Sequence, residues 1–346
     1  MRALIAMSGG VDSSVAAHLA QAQGWECVGA TLRLHHCGQT DDAADAQAVA
    51  QRLGIPFHVF DFTQEFQAQV VEKFVACYEC GQTPNPCIDC NRCLKFSALL
   101  QKANELGCDR LVTGHYAQTG FDAASGRFVL RTAQHREKDQ SYVLYPLTQA
   151  QLARVWFPLG GLAKEEVRRI AQAQGFQNAH KSDSQDICFV PDGDYAAFIS
   201  RYRNKTYPPG DFVDDAGRVL GQHRGIIHYT VGQRRGLSIS APHRLYVRAI
   251  RPAENQIVLG PEGCQYVSAL TAHSVNFVSL PGIPSPTRLR AKIRYQQEAQ
   301  WATAHQTGPD TLAVTFDQPQ RAVTPGQAVV LYDGDTVAAG GVIAGD

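Results

Sequence analysis

The chain has 346 residues, in which 32 Lys and Arg balance 32 Asp and Glu, and 44% of the residues are apolar. This composition excludes a disordered chain, because disorder requires low hydrophobicity and a high net charge. A net charge of zero gives no overall indication of nucleic-acid binding. The balance is nevertheless uneven: residues 1–195 carry 17 basic and 21 acidic residues, whereas residues 196–346 carry 15 and 11. The second part therefore permits an anionic partner without requiring one.

The first 120 residues alternate between short apolar runs and segments of helical periodicity. Residues 4–7 predict a buried strand, and Val11, Val15 and Leu19 recur behind it at helical spacing. The alternation predicts an α/β domain with a doubly wound parallel sheet covered by helices on both faces. Further strands are predicted at 27–34, 56–62 and 110–116, and further helices at 41–53, 66–74 and 96–106.

Beyond about residue 190, helical periodicity gives way to short β-like runs separated by Gly, Pro and Asn. Evenly spaced short strands are typical of small barrels and sandwiches. The predicted domains are therefore 1–195, a small β-rich domain at 196–261, and a C-terminal β-barrel at 262–346.

Targeting signals and cysteine usage both indicate an intracellular protein. No run approaches 18 apolar residues and the first residues do not form a secretory pattern, so a cytoplasmic protein without a membrane span is expected. Ten cysteines in such a chain indicate thiols for catalysis or metal binding rather than a disulfide scaffold.

The sharpest local pattern is Ser-Gly-Gly-Val-Asp-Ser-Ser at residues 8–14, between a predicted strand and a predicted helix. Backbone N–H groups and the helix dipole at such a turn suit a phosphate, and the glycines allow close approach. No Lys follows the glycines, so this is not a Walker A loop. The string resembles the PP-loop of ATP pyrophosphatases, which cleave ATP between its α and β phosphates.

Five cysteines fall within 17 residues, with the spacing C-x2-C, six residues, then C-x2-C-x2-C; they are Cys77, Cys80, Cys87, Cys90 and Cys93. This clustering favours either a soft-metal site or thiolate chemistry. A thiol at the N-terminus of the following helix would have a lowered pKa, and Cys90 is the best placed.

The segment from Thr83 to Asn91, followed by Lys95 and Phe96, resembles the signature loop of the tRNA-specific 2-thiouridylase family, of the MnmA type. Further strings of that family follow in order: T-G-H-Y-A at 113–117, K-D-Q-S-Y at 138–142, S-Q-D-I-C-F at 184–189, Y-T-V-G-Q-R at 229–234, and T-P-G-Q at 324–327. The resemblance therefore extends over nearly the whole chain.

The resemblance implies an enzyme that makes 2-thiouridine at the wobble position of tRNAs for Lys, Glu and Gln, using ATP and Mg²⁺. The uridine oxygen would be adenylated, and sulfur would then be delivered from a persulfide on Cys188. Cys90 would act as the nucleophile that releases the product, leaving a Cys90–Cys188 disulfide. The implied partners are tRNA, through its anticodon loop, and a persulfide-carrying relay protein or cysteine desulfurase. A monomer is expected.

The resemblance also implies two sets of binding residues. The ATP-binding residues would be Ala6, Met7, Ser8, Gly9, Gly10, Val11, Asp12, Ser13, Leu32 and Gly114. The tRNA-binding residues would be Asn85, Pro86, Cys87, His115, Lys138, Asp139, Gln140, Arg294, Tyr295 and Gln327.

Two alternatives stay open at this point. Many members of the family have Asp, with an acid–base role, where this chain has Cys87, so either Cys87 or Asp89 is a candidate for that role. A [4Fe–4S] cluster on Cys87, Cys90 and Cys188 would replace the persulfide route. A further alternative for the chain as a whole is a different PP-loop ligase that acts on a small molecule.

Overall fold

The computed structural model describes residues 1–34, 40–181 and 187–345. Cys37 and residues 182–186, which include the start of the S-Q-D-I-C-F string, lie outside these ranges. Among the described residues, no helix is long and apolar enough to cross a membrane.

The first part of the chain contains a five-stranded parallel sheet with the order β3-β2-β1-β4-β7. Alternate side chains of β1 enter different cores: Leu4 packs with Phe96 and Leu99, whereas Ile5 packs with Val15 and other residues on the opposite face. Both faces are thus covered, which confirms the predicted doubly wound sheet. The strands of this part are β1 (Arg2–Ala6), β2 (Glu26–Arg33), β3 (Phe57–Asp61), β4 (Arg110–Val112), β5 (Ala117–Asp122), β6 (Arg127–Thr132) and β7 (Val155–Trp156).

Helices follow or separate these strands. They are α1 (Val11–Ala22), α2 (Thr40–Leu53), α3 (Thr63–Phe66), α4 (Glu72–Glu79), α5 (Pro86–Cys90), α6 (Leu99–Glu105), α7 (Ser141–Leu144), α8 (Gln149–Leu152), α9 (Lys164–Ala173) and α10 (Tyr195–Arg203). Two π-helical segments, Gln67–Val71 and Asn91–Ala98, join α3 to α4 and α5 to α6. Short 3₁₀ helices lie at Arg136–Lys138, Gln177–His180 and Ile226–His228.

The second part is a four-stranded sheet with the order β10-β11-β8-β9. Its strands are β8 (Gly210–Val213), β9 (Val219–His223), β10 (Leu245–Arg251) and β11 (Gln256–Pro261). Phe212, Val247 and Ile257 of this sheet join a core that also contains Phe74 and Cys90. The second part therefore packs directly against the cysteine-bearing helices of the first.

The third part is a closed antiparallel barrel of six strands, which confirms the predicted β-barrel. The strands follow the order β12-β15-β14-β13-β16-β17, and β17 pairs with β12 to close the circle. The hairpin of β5 and β6 extends this sheet, because Arg131 pairs with Thr336. The barrel strands are β12 (Tyr266–Phe277), β13 (Thr287–Lys292), β14 (Gln300–Gly308), β15 (Thr311–Arg321), β16 (Ala328–Asp333) and β17 (Thr336–Ile343).

Candidate active site

The Ser-Gly-Gly loop follows β1, and the Thr-Gly-His segment follows the neighbouring strand β4. In doubly wound sheets, ligands bind at the carboxyl edge where the strand order reverses. The two segments touch there: a Cβ on Gly114 would lie 2.7 Å from the Ser13 nitrogen. Only glycine fits this approach, so the segment after β4 closes directly on the loop after β1.

The loop is organised by its own serines. The Ser8 N–H donates to Ser13 Oγ at 3.1 Å, and Ser13 Oγ donates to the Gly10 carbonyl at 3.0 Å. Gly9 has φ +75°, and a Cβ there would collide with the Asp42 carbonyl oxygen. The loop leads into α1, a helix of 12 residues whose N-terminus favours negative charge. This arrangement suits the phosphates of a nucleotide.

All ten residues that sequence analysis assigned to ATP lie near the carboxyl edge of three neighbouring strands. Ala6 and Met7 end β1 and lead into the loop, and the Met7 N–H donates to the Ala30 carbonyl of β2 at 2.8 Å. Leu32 lies near the end of β2, and Gly114 follows β4. The structure therefore brings this set together.

Asp12 has two partners that sequence analysis missed. Lys164 Nζ donates to both carboxylate oxygens, at 2.8 and 2.9 Å, and the Tyr116 hydroxyl donates at 2.7 Å. Lys164 is buried, although it is the first residue of α9 and 152 positions away. The sequence around Lys164 gives no indication that it pairs with Asp12. Tyr116 lay within a recognised string, but its hydroxyl contact depends on the tertiary fold.

The two cysteines of the implied mechanism interact electrostatically with each other. Cys90 is buried at the end of α5, and burial raises its pKa to about 11. The prediction of a lowered pKa at Cys90 is therefore wrong: α5 already begins at Pro86, so Cys90 lies more than a turn inside the helical run. Cys188 is exposed, but the protein surrounding its sulfur and the neighbouring Cys87 raise its pKa as well.

Lys95 places a positive charge near the thiols of Cys90 and Cys188. Its positive charge opposes the rise in pKa at both Cys90 and Cys188. It also acts on His115, whose pKa is lowered well below its usual value mainly by complete burial. Lys95 lies in the π-helical segment that continues α5, and sequence analysis noted it only as the end of a motif.

Replacing Lys95 with Met should slow alkylation of the thiols at Cys90 and Cys188. The thiolate is the reactive form, so removing the cation moves its appearance to higher pH. The expected result is a pH–rate curve for iodoacetamide labelling, read by peptide mass spectrometry, that lies at higher pH in the variant than in the wild type at both cysteines. The matched control is Lys102→Met on α6, where the lysine pairs with Glu105 instead. An unchanged curve in the Lys95 variant would contradict this role.

The two candidates for the acid–base role differ in their surroundings. Asp89 is buried and paired with Lys73 at 2.7 Å and Arg92 at 2.9 Å, so its carboxylate is already engaged. Cys87 is exposed, and its N–H donates to Asn85 Oδ1 at 3.2 Å, which caps α5. The geometry thus leaves Cys87 facing outward at the helix start, next to Tyr295, with which it interacts electrostatically.

The iron–sulfur alternative requires three ligands that converge on one point. Within the described ranges, which include Cys87, Cys90 and Cys188, no three His, Cys, Asp or Glu side chains converge so that they could hold a metal ion. Of the other clustered cysteines, Cys77 and Cys93 are half-buried and Cys80 is exposed.

The residues assigned to tRNA fall into two groups. Several are engaged inside the protein. His115 packs 5.6 Å from Phe96 with its Nδ1 2.6 Å from Thr113 Oγ1, and Gln140 Oε1 accepts the Tyr116 N–H at 2.9 Å. The other inward-facing members are Pro86, Asp139, which accepts from Ser141 Oγ at 2.8 Å, and Arg294, which donates to Thr324 Oγ1 at 2.7 Å.

The remaining members are less buried. Tyr295 is 37% exposed, and Lys292 Nζ lies 5.7 Å from its ring centre. Asn85 and Lys138 are half-buried. These residues come from the start of α5, the 3₁₀ helix at Arg136–Lys138 and the loop after β13, so they combine the first and third parts of the chain.

Gln327 fixes the loop that carries Cys87. Its Nε2 donates to the carbonyls of Thr83 at 2.8 Å and Pro84 at 3.3 Å, and the Thr83 N–H donates to the Pro325 carbonyl at 2.9 Å. Thr83 Oγ1 also donates to Thr230 Oγ1 of the second part at 3.2 Å. All three parts of the chain therefore meet at Thr83.

Gln327→Ala should lower the free energy of unfolding by about 1–2 kcal/mol, because it leaves two loop carbonyls without this donor. Urea unfolding measures this change. Gln318→Ala, at an exposed position of the same barrel, is the control and should have little effect. Equal stability of the two variants would show that the contact is dispensable.

The topology and the Ser-Gly-Gly loop define a nucleotide-binding protein of the PP-loop class. The chain matches the family models described as tRNA methyl transferase HUP domain over residues 1–192, tRNA methyl transferase PRC-barrel domain over 196–261, and aminomethyltransferase beta-barrel domain over 267–343. It is 44% identical to tRNA-specific 2-thiouridylase MnmA of Clostridioides difficile (strain 630), covering 99% of this chain and 98% of that one. It is 45% identical to tRNA-specific 2-thiouridylase MnmA of Acetivibrio thermocellus, covering 99% of both. The chain belongs to the tRNA-specific 2-thiouridylase family.

Proposed function

We propose that this chain catalyses ATP-dependent 2-thiolation of the wobble uridine in tRNAs of the Lys, Glu and Gln type. The observation that supports this most strongly is the continuity of the site. Gly114 touches the ATP loop, His115 follows it, and Lys95 acts on both His115 and the thiols of Cys90 and Cys188. The nucleotide loop and a pair of interacting thiols are thus linked through His115 and Lys95, which supports adenylation followed by sulfur transfer.

In the first step, the oxygen on carbon 2 of the uridine attacks the α phosphorus of ATP and pyrophosphate leaves. Adenylation converts a poor leaving group into a good one. The N–H groups of Gly10 and Val11 would bind phosphate oxygens, and the Lys164 ammonium, which holds Asp12, would add positive charge beside them. Mg²⁺ would be coordinated mainly by the phosphates of ATP and by water, because Asp12, the loop's carboxylate, is already engaged by Lys164 and Tyr116.

In the second step, the terminal sulfur of a Cys188 persulfide attacks carbon 2, and AMP leaves with the bonding electron pair. The Cys90 thiolate then attacks the Cys188 sulfur. The sulfur–sulfur bond breaks, 2-thiouridine departs, and a Cys90–Cys188 disulfide forms. A dithiol reductant regenerates both thiols. The exposure of Cys188 suits loading by a sulfur-relay protein or a cysteine desulfurase, whereas the burial of Cys90 suits a resolving thiol.

The proposed arrangement assigns residues 1–195 to catalysis, and 196–261 and 262–346 to holding the tRNA around the anticodon loop. Cys87 would stand beside the target base, together with Tyr295 and Lys138. The protein would act in the cytoplasm as a monomer.

The test is thiolation of unmodified lysine tRNA with ATP and a persulfide donor, read by nucleoside mass spectrometry, alongside pyrophosphate release. The expected result is 2-thiouridine at the wobble position and pyrophosphate release that depends on tRNA. Pyrophosphate release that needs a small molecule and not tRNA would favour a PP-loop ligase instead. A colourless, iron-free protein with full activity would support the persulfide route over a cluster.

A further inference from the structure

Asn178 is a buried side chain whose hydrogen bonds go to the ATP loop. It lies on the 3₁₀ helix Gln177–His180 and is 5% exposed. Its Nδ2 donates to the Gly9 carbonyl and to Ser14 Oγ, each at 2.9 Å. Because a carbonyl oxygen only accepts hydrogen bonds, the contact with Gly9 fixes the amide with its nitrogen toward the loop.

These bonds set the direction of two peptide groups in the loop. The Gly9 carbonyl points toward Asn178, and the Gly10 carbonyl accepts bonds from Ser13 Oγ and Ser14 Oγ, each at 3.0 Å. In a trans peptide the carbonyl and the following N–H point in opposite directions. The Gly10 N–H therefore points away from Asn178, and the Val11 N–H points away from the hydroxyls of Ser13 and Ser14, as suits a backbone nest that accepts an anion.

Ser14 connects the Asn178 amide to the Gly10 carbonyl. Its hydroxyl donates to Gly10, so its lone pairs face the Asn178 amide. Asn178 thus acts on Gly9 directly and on Gly10 through Ser14. Adjacent glycines have unusual backbone freedom, so without such anchors this turn would have to be ordered when the nucleotide binds.

The buried, unpaired oxygen of Asn178 indicates that the side chain is used for its hydrogen-bond donors. Within the described part of the chain, Asn178 Oδ1 is buried without a hydrogen-bond partner. A buried unpaired acceptor is destabilising, and an apolar side chain would avoid this cost. A residue that only filled space here would therefore be better as an apolar one.

We propose that Asn178 is a positioning residue that holds the ATP loop in its phosphate-binding conformation before the nucleotide arrives. The inference rests on the proposed use of ATP. It adds a residue from outside the loop, 164 positions beyond Ser14 and from the segment that leads toward Cys188.

The test is calorimetric titration of the full chain with ATP, in the absence of tRNA. Asn178→Leu keeps the branched side-chain skeleton and removes both donors, and should weaken ATP binding about 10-fold with at most a small loss of thermal stability. Asn178→Asp replaces the donors with acceptors and adds a negative charge, so a larger loss is expected. Affinity for tRNA should stay unchanged in both. Gln177→Ala, at an exposed position of the same 3₁₀ helix, should match the wild type.

Wild-type affinity for ATP in Asn178→Leu would overturn the proposal, and so would a joint loss of ATP binding, tRNA binding and thermal stability. If that variant does not fold, the double-mutant cycle of Asn178→Ser with Ser14→Ala decides, because the proposal predicts that their effects are not additive. Failure of the wild type to bind ATP would instead count against the proposed function.

Discussion

Replacing Cys188 with serine should abolish tRNA thiolation while ATP-dependent and tRNA-dependent release of pyrophosphate continues. The proposed adenylation uses the ATP loop and the uridine oxygen, neither of which needs a thiol. Sulfur delivery requires the persulfide, and a serine hydroxyl cannot carry one. The expected loss of 2-thiouridine formation is on the order of 10³-fold or more.

Cys90→Ser should behave differently from Cys188→Ser. It still accepts sulfane sulfur on Cys188 and still adenylates the base, but it lacks the thiol that resolves the persulfide bridge. The tRNA should therefore accumulate joined to the protein, visible as a band on a non-reducing gel that a thiol reductant removes. The measurement uses one equivalent of the persulfide donor and no added thiol, because an excess thiol would cleave the bridge in place of Cys90.

Cys80→Ser is the matched control, because Cys80 is an exposed thiol in the same stretch of chain. It should retain both thiolation and pyrophosphate release. Full thiolation by Cys188→Ser would remove Cys188 from the mechanism, and loss of pyrophosphate release in that variant would show that it damages the ATP site.

Local patterns predicted the architecture well because their physical causes are local. A glycine turn between a buried strand and an amphipathic helix is compatible with few local structures other than a phosphate-binding loop. The short strands beyond residue 262 also form the predicted barrel, which spans β12 to β17. The pairing of β6 with β17 was not foreseen, because pairing at a sheet edge leaves no periodicity in either strand.

The error at Cys90 came from the position of the helix start. Asn85 is the N-cap and Pro86 the first residue of α5, a sequence signal that favours this start. Placing the helix start near Cys90 instead made the thiol look exposed to the dipole. The tertiary contacts could not be read from the sequence at all: Lys164 and Asn178 reach the loop from more than 150 positions away.

Lys164→Met should lower ATP-dependent pyrophosphate release about 10²–10³-fold, because it removes a fixed positive charge beside the phosphate loop. It should also lower the free energy of unfolding. Breaking a fully buried ion pair costs about 3–5 kcal/mol. The Asp12 side chain retains 28% exposure, so we expect about 2–3 kcal/mol here.

The double variant Asp12→Asn with Lys164→Met separates these two effects. Removing both partners leaves no uncompensated charge, so stability should recover toward the wild type. Activity should stay low, because neither the ammonium nor the carboxylate is present. Tyr116→Phe is the control for the remaining contact: it removes a single hydrogen bond to Asp12 and should cost about 1 kcal/mol of stability. If the double variant regained pyrophosphate release together with stability, Lys164 would serve the fold alone; recovery of stability without activity would show that adenylation needs the charged pair itself.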